Sequence, residues 1–222
     1  MTGLTVIIPT LDAARHLSGC LDAFGATEAI IVADGGSSDA TAEIAARHGA
    51  TFAPCPCGRG PQLIAGAAIA STEWLLFVHA DTVLDPGWRT EVATFTANPA
   101  NRERAAVFVF ALDDASKPAR RLQAMVRWRS RALALPYGDQ GILIHRELYD
   151  SLGGYRPWAM MEDVDMIRRI GRRRLAQLNT RAVTSADRWR REGWTRRSAR
   201  NIGCLALYYL GLPPRHIQKL YG

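Results

Sequence analysis

Cysteine is scarce in this chain, and its four residues, Cys20, Cys55, Cys57 and Cys204, show no zinc spacing. One residue separates Cys55 from Cys57, where structural zinc pairs usually have about two to four, so free thiols are expected. Long hydrophobic runs are also missing. The most apolar stretch, 201–212, has twelve residues, short of the ~20 that a bilayer-spanning helix needs. Met1–Thr5 carries no basic segment and the apolar run after it stops at Pro9, so no secretory signal is expected and a cytoplasmic location is. The phosphate-cradling Gly-x4-Gly-Lys-Ser/Thr loop and the dinucleotide Gly-x-Gly-x-x-Gly pattern are absent, which removes support for ATPase and nicotinamide-enzyme readings. Without a Gly-x-Ser-x-Gly elbow, a serine hydrolase has no basis either.

What is present suits a folded α/β protein. Hydrophobic residues make up 48% and charged residues 22% of 222, which excludes both a disordered chain and a polytopic membrane protein. The net charge of +7 is unevenly spread: twelve arginines lie between Arg168 and Arg200 against Asp187 and Glu192 alone, leaving that stretch at +10 and the rest at −3. Such a field attracts phosphates, nucleic acid or anionic lipid without choosing among them.

Strand and helix alternate through the first eighty residues. Leu4–Ile8, Ala29–Ala33, Ala50–Ala53 and Trp74–Val78 read as short buried strands. Between them fall a helix that Asp12 can cap, with Ala13, Leu17, Cys20, Leu21 and Phe24 as its apolar stripe, a second running to about His48, and a third over Pro61–Ala70. This order predicts a doubly wound, mainly parallel sheet with helices on both faces and ligands beyond the carboxyl ends of the strands, where Thr10, Asp34 and Asp81 fall. The second half reads as α+β: strands at Ala105–Phe110 and Gly141–Ile144, and a helix over Lys117–Leu133 with Leu122, Met125, Val126 and Leu133 inward. A helix over Glu162–Ile170, a strand at Leu175–Leu178, a strand or loop near Ala182 and a helical C-terminus from about Thr195 follow. No repeat or linker appears, so one domain is expected.

Several groups suit chemistry. Asp34 ends a strand and precedes Gly35, Gly36, Ser37 and Ser38, a loop that approaches a ligand closely while the carboxylate accepts from a base N–H or ribose hydroxyls; Ser37, Ser38 and Asp39 equally suit plain helix capping. Asp81 tips a wholly apolar strand, where its carboxylate needs a cation, donors or water. A divalent metal bridging to phosphate oxygens meets that need, and His79 is a candidate second ligand; an exposed turn aspartate is the alternative. Glu162, Asp163 and Asp165 crowd the start of a helix, where they complement its dipole or, by mutual repulsion, furnish a general base. Asp139 and Gln140 form a polar loop suited to sugar hydroxyls or to a simple turn. Arg59, between two glycines before a helix, suits an anion.

In order along the chain, Val6–Thr10, Ile31–Asp39, Leu75–Asp81 and Glu162-Asp163 resemble the motifs of family-2 glycosyltransferases of the GT-A fold, over about residues 4–190. The resemblance implies a single GT-A-like domain across 1–222, with a nucleotide-binding half at 4–100, an acceptor half at 101–194 and a helical basic and apolar tail at 195–222. It implies an inverting transferase that uses a nucleotide sugar, a UDP-sugar first among candidates, with Mn²⁺ or Mg²⁺. Pro9, Thr10 and Asp34 match nucleoside-holding positions, Asp81 the last aspartate of the metal- and diphosphate-binding Asp-x-Asp motif, and Asp163 the catalytic base, with Glu162 beside it. His79 stands where that motif usually begins with aspartate, and Gly35 where the usual loop has a second aspartate. Gly58–Leu63, Gly138–Gly141 and Arg188-Trp189 further resemble a small bacterial subgroup labelled as selenium- or arsenic-associated transferases, which makes Arg59 a diphosphate-side residue and Asp139, Gln140, Arg188 and Trp189 acceptor-side residues.

Two other classes compete. A sugar-nucleotide-forming nucleotidyltransferase would carry a glycine-rich basic loop after the first strand, where this chain has Pro9-Thr10-Leu11-Asp12. A non-catalytic module could bind nucleic acid through Arg168–Arg200, but Trp189 and Trp194 are too few for a stacking platform, so no nucleic-acid partner is expected. The apolar segment 201–212, flanked by Arg196, Arg197, Arg200, Arg215 and Lys219, suits a peripheral membrane contact, a homodimer surface or packing on the domain's own core.

Overall fold

Alternation along the strands sets the architecture. In the first strand, β1 (Leu4–Thr10), Val6 and Ile8 face one core while Ile7 faces the other, each fully buried, as period-two side chains of a doubly covered sheet must be. The computed structural model describes residues 3–25 and 28–221. Its chain order continues with α1 (Ala14–Asp22), β2 (Ala29–Asp34), α2 (Thr41–Arg47), β3 (Thr51–Pro54), α3 (Arg59–Ile69), β4 (Trp74–Phe77), β5 (Thr82–Leu84), α4 (Trp88–Ala97) and β6 (Ala105–Leu112). Then come α5 (Lys117–Leu133), β7 (Ile142–His145), α6 (Arg146–Ser151), α7 (Glu162–Ile170), β8 (Leu175–Thr184), α8 (Asp187–Glu192), α9 (Trp194–Tyr209) and α10 (Pro214–Tyr221).

The strands form one sheet in the order β3-β2-β1-β4-β7-β6-β8-β5. β3, β2, β1 and β4 are parallel, as the alternating pattern requires. β7 runs antiparallel to β4 and β6, β6 and β8 are parallel, and β5 is antiparallel to β8, so parallel order holds for the first half and the second is mixed. On one face Leu17, Cys20 and Leu21 of α1, Ile44 of α2 and Trp88, Val92 and Phe95 of α4 cover Val6, Trp74, Leu76 and Phe108. On the other, Leu63 and Ala67 of α3, Tyr149 of α6 and Met166, Ile167 and Ile170 of α7 cover Ile7, Leu75, Phe77 and Ile144. The antiparallel course of β7 matters for the site. Ile142, at its start, pairs with Phe77 at the end of β4, so the loop leading into β7 is delivered to the carboxyl end of the parallel strands.

Three local expectations are corrected. Asp12 does not cap α1: its φ is +47°, and its carboxylate accepts from the Ser38 amide, while Asp39 accepts from the Ala14 amide at 2.9 Å and Thr41 from that of Ala13. The first turn of α1 is therefore capped from the β2–α2 loop, which ties the two loops together. Met125 faces outward, 41% exposed, because the inward stripe of α5 is carried by Ala119, Leu122 and Val126; the side chain of Leu133 lies outside the described residues. Residues 175–184 form one strand, because Glu91 accepts from the amides and side chains of both Asn179 and Thr180 and holds the strand extended there.

Candidate active site

The ends of β1 and β2 stand in register, Thr10 opposite Asp34. Asp34 is 3% exposed and fully employed: one carboxylate oxygen accepts from the hydroxyls of Thr10 (2.8 Å) and Ser37 (2.5 Å), the other from the amides of Gly36 (2.9 Å) and Ser37 (2.8 Å). These use its roughly four lone-pair positions. Burial works to raise the Asp34 pKa, but the hydrogen bonds outweigh it and hold the carboxyl below its usual range. A ligand N–H reaches Asp34 only by displacing one of these donors. Buried Pro9 precedes Thr10 on the strand, opposite Ala33. A Cβ on Gly35 would meet Gln62 Nε2 at 2.9 Å and Cys57 Cα at 3.2 Å, so the volume an aspartate would need here is already filled.

Asp81 follows β4 in the turn closed by the Thr82 amide donating to the His79 carbonyl. Its carboxylate makes no hydrogen bond or ion pair among the described residues, although its charge acts on His79, Asp139 and Cys20. Asp163 sits in the first turn of α7. One of its oxygens accepts from the Val164 amide (2.8 Å), the other from the Gly138 amide (2.9 Å), and the side chain stays 9% exposed. Gly138 joins the two ends of the site: a Cβ there would lie 2.8 Å from His79 Nε2 and 3.2 Å from Asp163 Oδ2. His79 and Asp163 therefore press on the same point from two distant parts of the chain. A narrow cavity bounded by Phe77, Val78, His79, Gly138, Glu162 and Asp163 opens beside it.

Glu162 is fully buried and pairs with Arg59 at 2.9 Å, which locks the start of α3 to the start of α7. The same junction is fixed by the Gly60 amide donating to the Trp158 carbonyl, so close that a Cβ on Gly60 would strike Arg156 O at 2.2 Å. Burial pushes Glu162 up to about 7, with Arg59 opposing and Asp163 adding to the rise. Met161, just before it, has φ +63°, a left-handed conformation that costs about 1–3 kcal/mol in a non-glycine residue and recurs at functional sites. Asp139, on the same turn as Gly138, rises to about 6, mainly by burial, with Asp163 and Asp81 adding to it against Arg129; its Oδ1 is buried without a hydrogen-bond partner. His79 falls to about 4 through burial and the nearby Arg59, against the pull of Asp81 and Asp163, and is neutral.

Two candidate sugar contacts prove to be braces. Gln140 is 1% exposed, accepting from the Ser130 hydroxyl and donating to the Phe108 carbonyl, so its amide is spent holding the turn to α5 and β6. Trp189 is stacked on Trp194 (6.4 Å, 25°) beneath the guanidinium of Arg197 and is packed with Phe110, Leu112 and Val126, leaving no free face for a sugar. Arg188 is exposed and close enough to act on His79. Sequence reasoning missed Gly138 as the contact point, Gln62 as the filler of the Gly35 volume, and Arg129, whose guanidinium lies 3.9 Å over Tyr137 beside the Asp139 turn. The glycines of the Gly138–Gly141 loop were the available signal for the first; nothing in the sequence singled out Arg129.

A divalent cation fits this donor set in a limited way. Among the described residues no group of three or more His, Cys, Asp or Glu is arranged to hold a metal. Asp81 alone, or with neutral His79, offers one or two ligands, which suffices for Mg²⁺ or Mn²⁺ when substrate phosphates supply the rest. The otherwise unpaired Asp81 carboxylate, beside Asp139 and Asp163, makes the locality one that a cation would stabilise. The basic stretch from Arg168 is less available than its count suggests: Arg169 pairs with Asp165, Arg181 with Asp85, Arg190 with Asp113 and Asp114, and Arg197 and Arg200 with Glu192.

Residues 5–151 match the family model described as Glycosyl transferase family 2. An uncharacterized glycosyltransferase of Mycobacterium tuberculosis is 37% identical over 86 residues, 38% of this chain and 39% of that protein, so the match spans well under half of the relative. Among solved structures, glucosyl-3-phosphoglycerate synthase from M. tuberculosis, in complex with Mn²⁺, UDP and glucosyl-3-phosphoglycerate, superposes with a TM-score of 0.61 at 21% identity, covering 81% of this chain and 70% of that one. S. aureus TarS in complex with UDP gives 0.63 at 16% identity, covering 83% and 61%. At such identities the likeness shows the fold, a mixed α/β arrangement of GT-A type.

Proposed function

Because the chain belongs to glycosyl transferase family 2, we propose that it is an inverting transferase moving a sugar from a nucleoside-diphosphate donor, a UDP-sugar first among candidates, to an acceptor alcohol. The observation that carries this reading is the convergence of His79 and Asp163 on Gly138, which puts the strand end bearing Asp81 and the helix start bearing Asp163 on one cleft. Residues 4–100 hold the donor and 101–194 the acceptor.

In this reading the acceptor oxygen attacks the anomeric carbon as the bond to the diphosphate breaks, and the hydroxyl proton passes to Asp163. A positioned base of this kind contributes about 10²–10⁴-fold. Asp163 is prepared for the task by the two amide hydrogen bonds that fix its orientation while leaving lone pairs for the incoming hydroxyl. Glu162 and Arg59 hold that carboxylate in position; Arg59, 38% exposed, also offers cationic donors to the departing phosphates. Mn²⁺ or Mg²⁺ held by Asp81, with His79 as a second ligand, would supply Lewis-acid stabilisation of the leaving diphosphate. The nucleoside lies along Pro9, Thr10 and the Asp34 loop, a base N–H replacing the Ser37 hydroxyl at Asp34. Asp139 and Arg188 face the acceptor. Of the segments that resemble the selenium- or arsenic-associated subgroup, Gly138 abuts His79, and Arg59 and Arg188 act on that ring, whereas Trp189 packs elsewhere; membership of that subgroup and a cytoplasmic setting are part of this proposal.

A panel of UDP-, GDP- and TDP-sugars, measured by thermal shift and turnover with and without Mn²⁺, tests the reading. Stabilisation by one nucleotide class that depends on metal, with release of the nucleoside diphosphate, is expected. No stabilisation by any of them would overturn it.

A further inference from the structure

Helix α9 is apolar on two sides: Cys204, Leu205, Leu207 and Tyr208 pack inward, and a second apolar stripe faces out. Its buried positions include Arg197 and Cys204, whereas Ala199, Ile202, Gly203, Ala206 and Tyr209, at helical spacing, are open to solvent or partly so, with Leu210 at its end 83% exposed. Helix α5 repeats the pattern: Met125 and Trp128 are exposed, Trp128 at 62%, among Arg120, Arg121, Arg127 and Arg131. Of the eight exposed large hydrophobic side chains among the described residues, four, Met125, Trp128, Ile202 and Tyr209, belong to the two helices and a fifth, Leu210, directly follows α9.

The two helices border the same parts of the core. Leu122 of α5 and Trp194 of α9 pack on the same cluster of Phe110, Val126 and Trp189. At the far end Arg172 donates to the Ala132 carbonyl while Arg168 lies over Tyr208 and Tyr209, so α7 and the turn after it bridge the C-terminal ends of both. Neither segment contains an acidic residue, from 117 to 133 or from 193 to 222. Arg120, Arg121, Arg127 and Arg131 form no ion pair among the described residues, in contrast to Arg169, Arg181 and Arg190. Among the described residues no helix is long and apolar enough to cross a membrane.

Exposed aromatic and aliphatic side chains set in a basic field, whose adjoining acid Glu192 neutralises Arg197 and Arg200 and leaves the arginines of α5 unpaired, match the interface of an anionic bilayer, where apolar groups enter the headgroup region and arginines meet phosphates. We propose that the α5–α9 face docks peripherally on anionic phospholipid, both helices lying in the interface plane. The docking stands independently of the reaction assigned above. It has a consequence for that reaction, since α9 and α10 pack on Met161 and Val164 around the start of α7, and Tyr137 joins the same cluster beside the Asp139 turn. The face that meets lipid thus borders the acceptor side of the cleft.

Flotation of the full chain with vesicles tests this. Binding is expected to vesicles of equal parts phosphatidylcholine and phosphatidylglycerol, to be lost in high salt, and to be absent with phosphatidylcholine alone. Replacing Arg127 and Arg131 by Ala should weaken anionic-vesicle binding by about thirtyfold, since each basic residue near the surface contributes about fivefold. Ile202→Glu with Leu210→Glu should abolish it. These side chains are exposed, so circular dichroism should be unchanged in both variants. Failure of the native chain to bind anionic vesicles, or equal binding by both folded variants, would overturn the proposal. So would a dimer in light scattering that the glutamate variant dissolves while vesicle binding stays absent, which would give the face to a second copy.

Discussion

Replacing Gly138 by Ala adds one methyl group at the point where the two halves of the cleft meet. The new carbon would stand 2.8 Å from His79 Nε2, 3.1 Å from Cε1 and 3.2 Å from Asp163 Oδ2. Comfortable non-bonded contacts lie near ~3.5–4.0 Å, so the His79 ring must retreat by up to about an ångström and the Asp163 carboxylate by a few tenths of one. The backbone at 138 is not in the left-handed region, so the effect is steric and not conformational. Asp163 cannot retreat freely, because its two oxygens are bound to the amides of Val164 and of residue 138 itself. Overpacking of this kind costs about 1–3 kcal/mol, or roughly 2–12 °C in melting temperature for a chain of this size. A base displaced by a full ångström costs about 10²-fold in turnover, so a shift of a few tenths should cost about several-fold. The assay is kcat and KM for the donor found in the sugar panel, with a thermal melt alongside. Loss in kcat should exceed any change in donor KM. Gly203→Ala, where nothing lies within 4 Å, serves as the control and should leave both unchanged or slightly raise stability. A Gly138→Ala enzyme with native kcat and melting temperature would refute the convergence of His79 and Asp163 at this point.

The buried ion pair gives a second expectation: Arg59→Ala, which removes the cation from Glu162 and leaves a carboxyl already raised to about 7 to take a proton, should destabilise by about 1–3 kcal/mol. Adding Glu162→Gln should recover part of that loss in denaturant melts, and a double variant as unstable as the single would show that the pairing is not the cause. Asp34 sets a pH dependence. Its folded pKa is depressed, so its contribution is present above the ordinary value near ~4 and lost as pH falls through the folded value. The melting-temperature gap between native protein and Asp34→Asn should therefore close below about pH 4; a gap constant to strong acid would contradict the hydrogen-bond account of this residue.

Local signals carried much of the fold. The helices Lys117–Leu133 and Glu162–Ile170 fall where periodicity and the acidic first turn put them, and the parallel half follows from its β-branched runs. Illegible features depended on contacts distant in sequence. Asp12 is an ordinary capping residue until Asp39 and Thr41, arriving from the next loop, take the amides of α1. Asn179-Thr180 reads as a break, yet Glu91 from α4 binds both residues and carries the strand through. That helix itself, rich in Thr, Val and Phe, gave no strong stripe. At the site, residue types pointed to Asp34, Asp81, Asp139 and Asp163 as chemically interesting. Types alone could not separate a side chain facing the cleft from one such as Gln140 or Trp189 that props it from behind.

The central claim is a division of labour between Asp81 and Asp163, and it is tested most directly by comparing Asp81→Asn with Asp163→Asn for donor binding by calorimetry, with and without Mn²⁺, and for turnover. Asp163→Asn is expected to bind donor as the native chain does and to lose turnover by about 10²–10⁴-fold, whereas Asp81→Asn should lose the Mn²⁺-dependent part of donor binding. Undiminished turnover in Asp163→Asn, or metal-dependent binding unchanged in Asp81→Asn, would contradict the account.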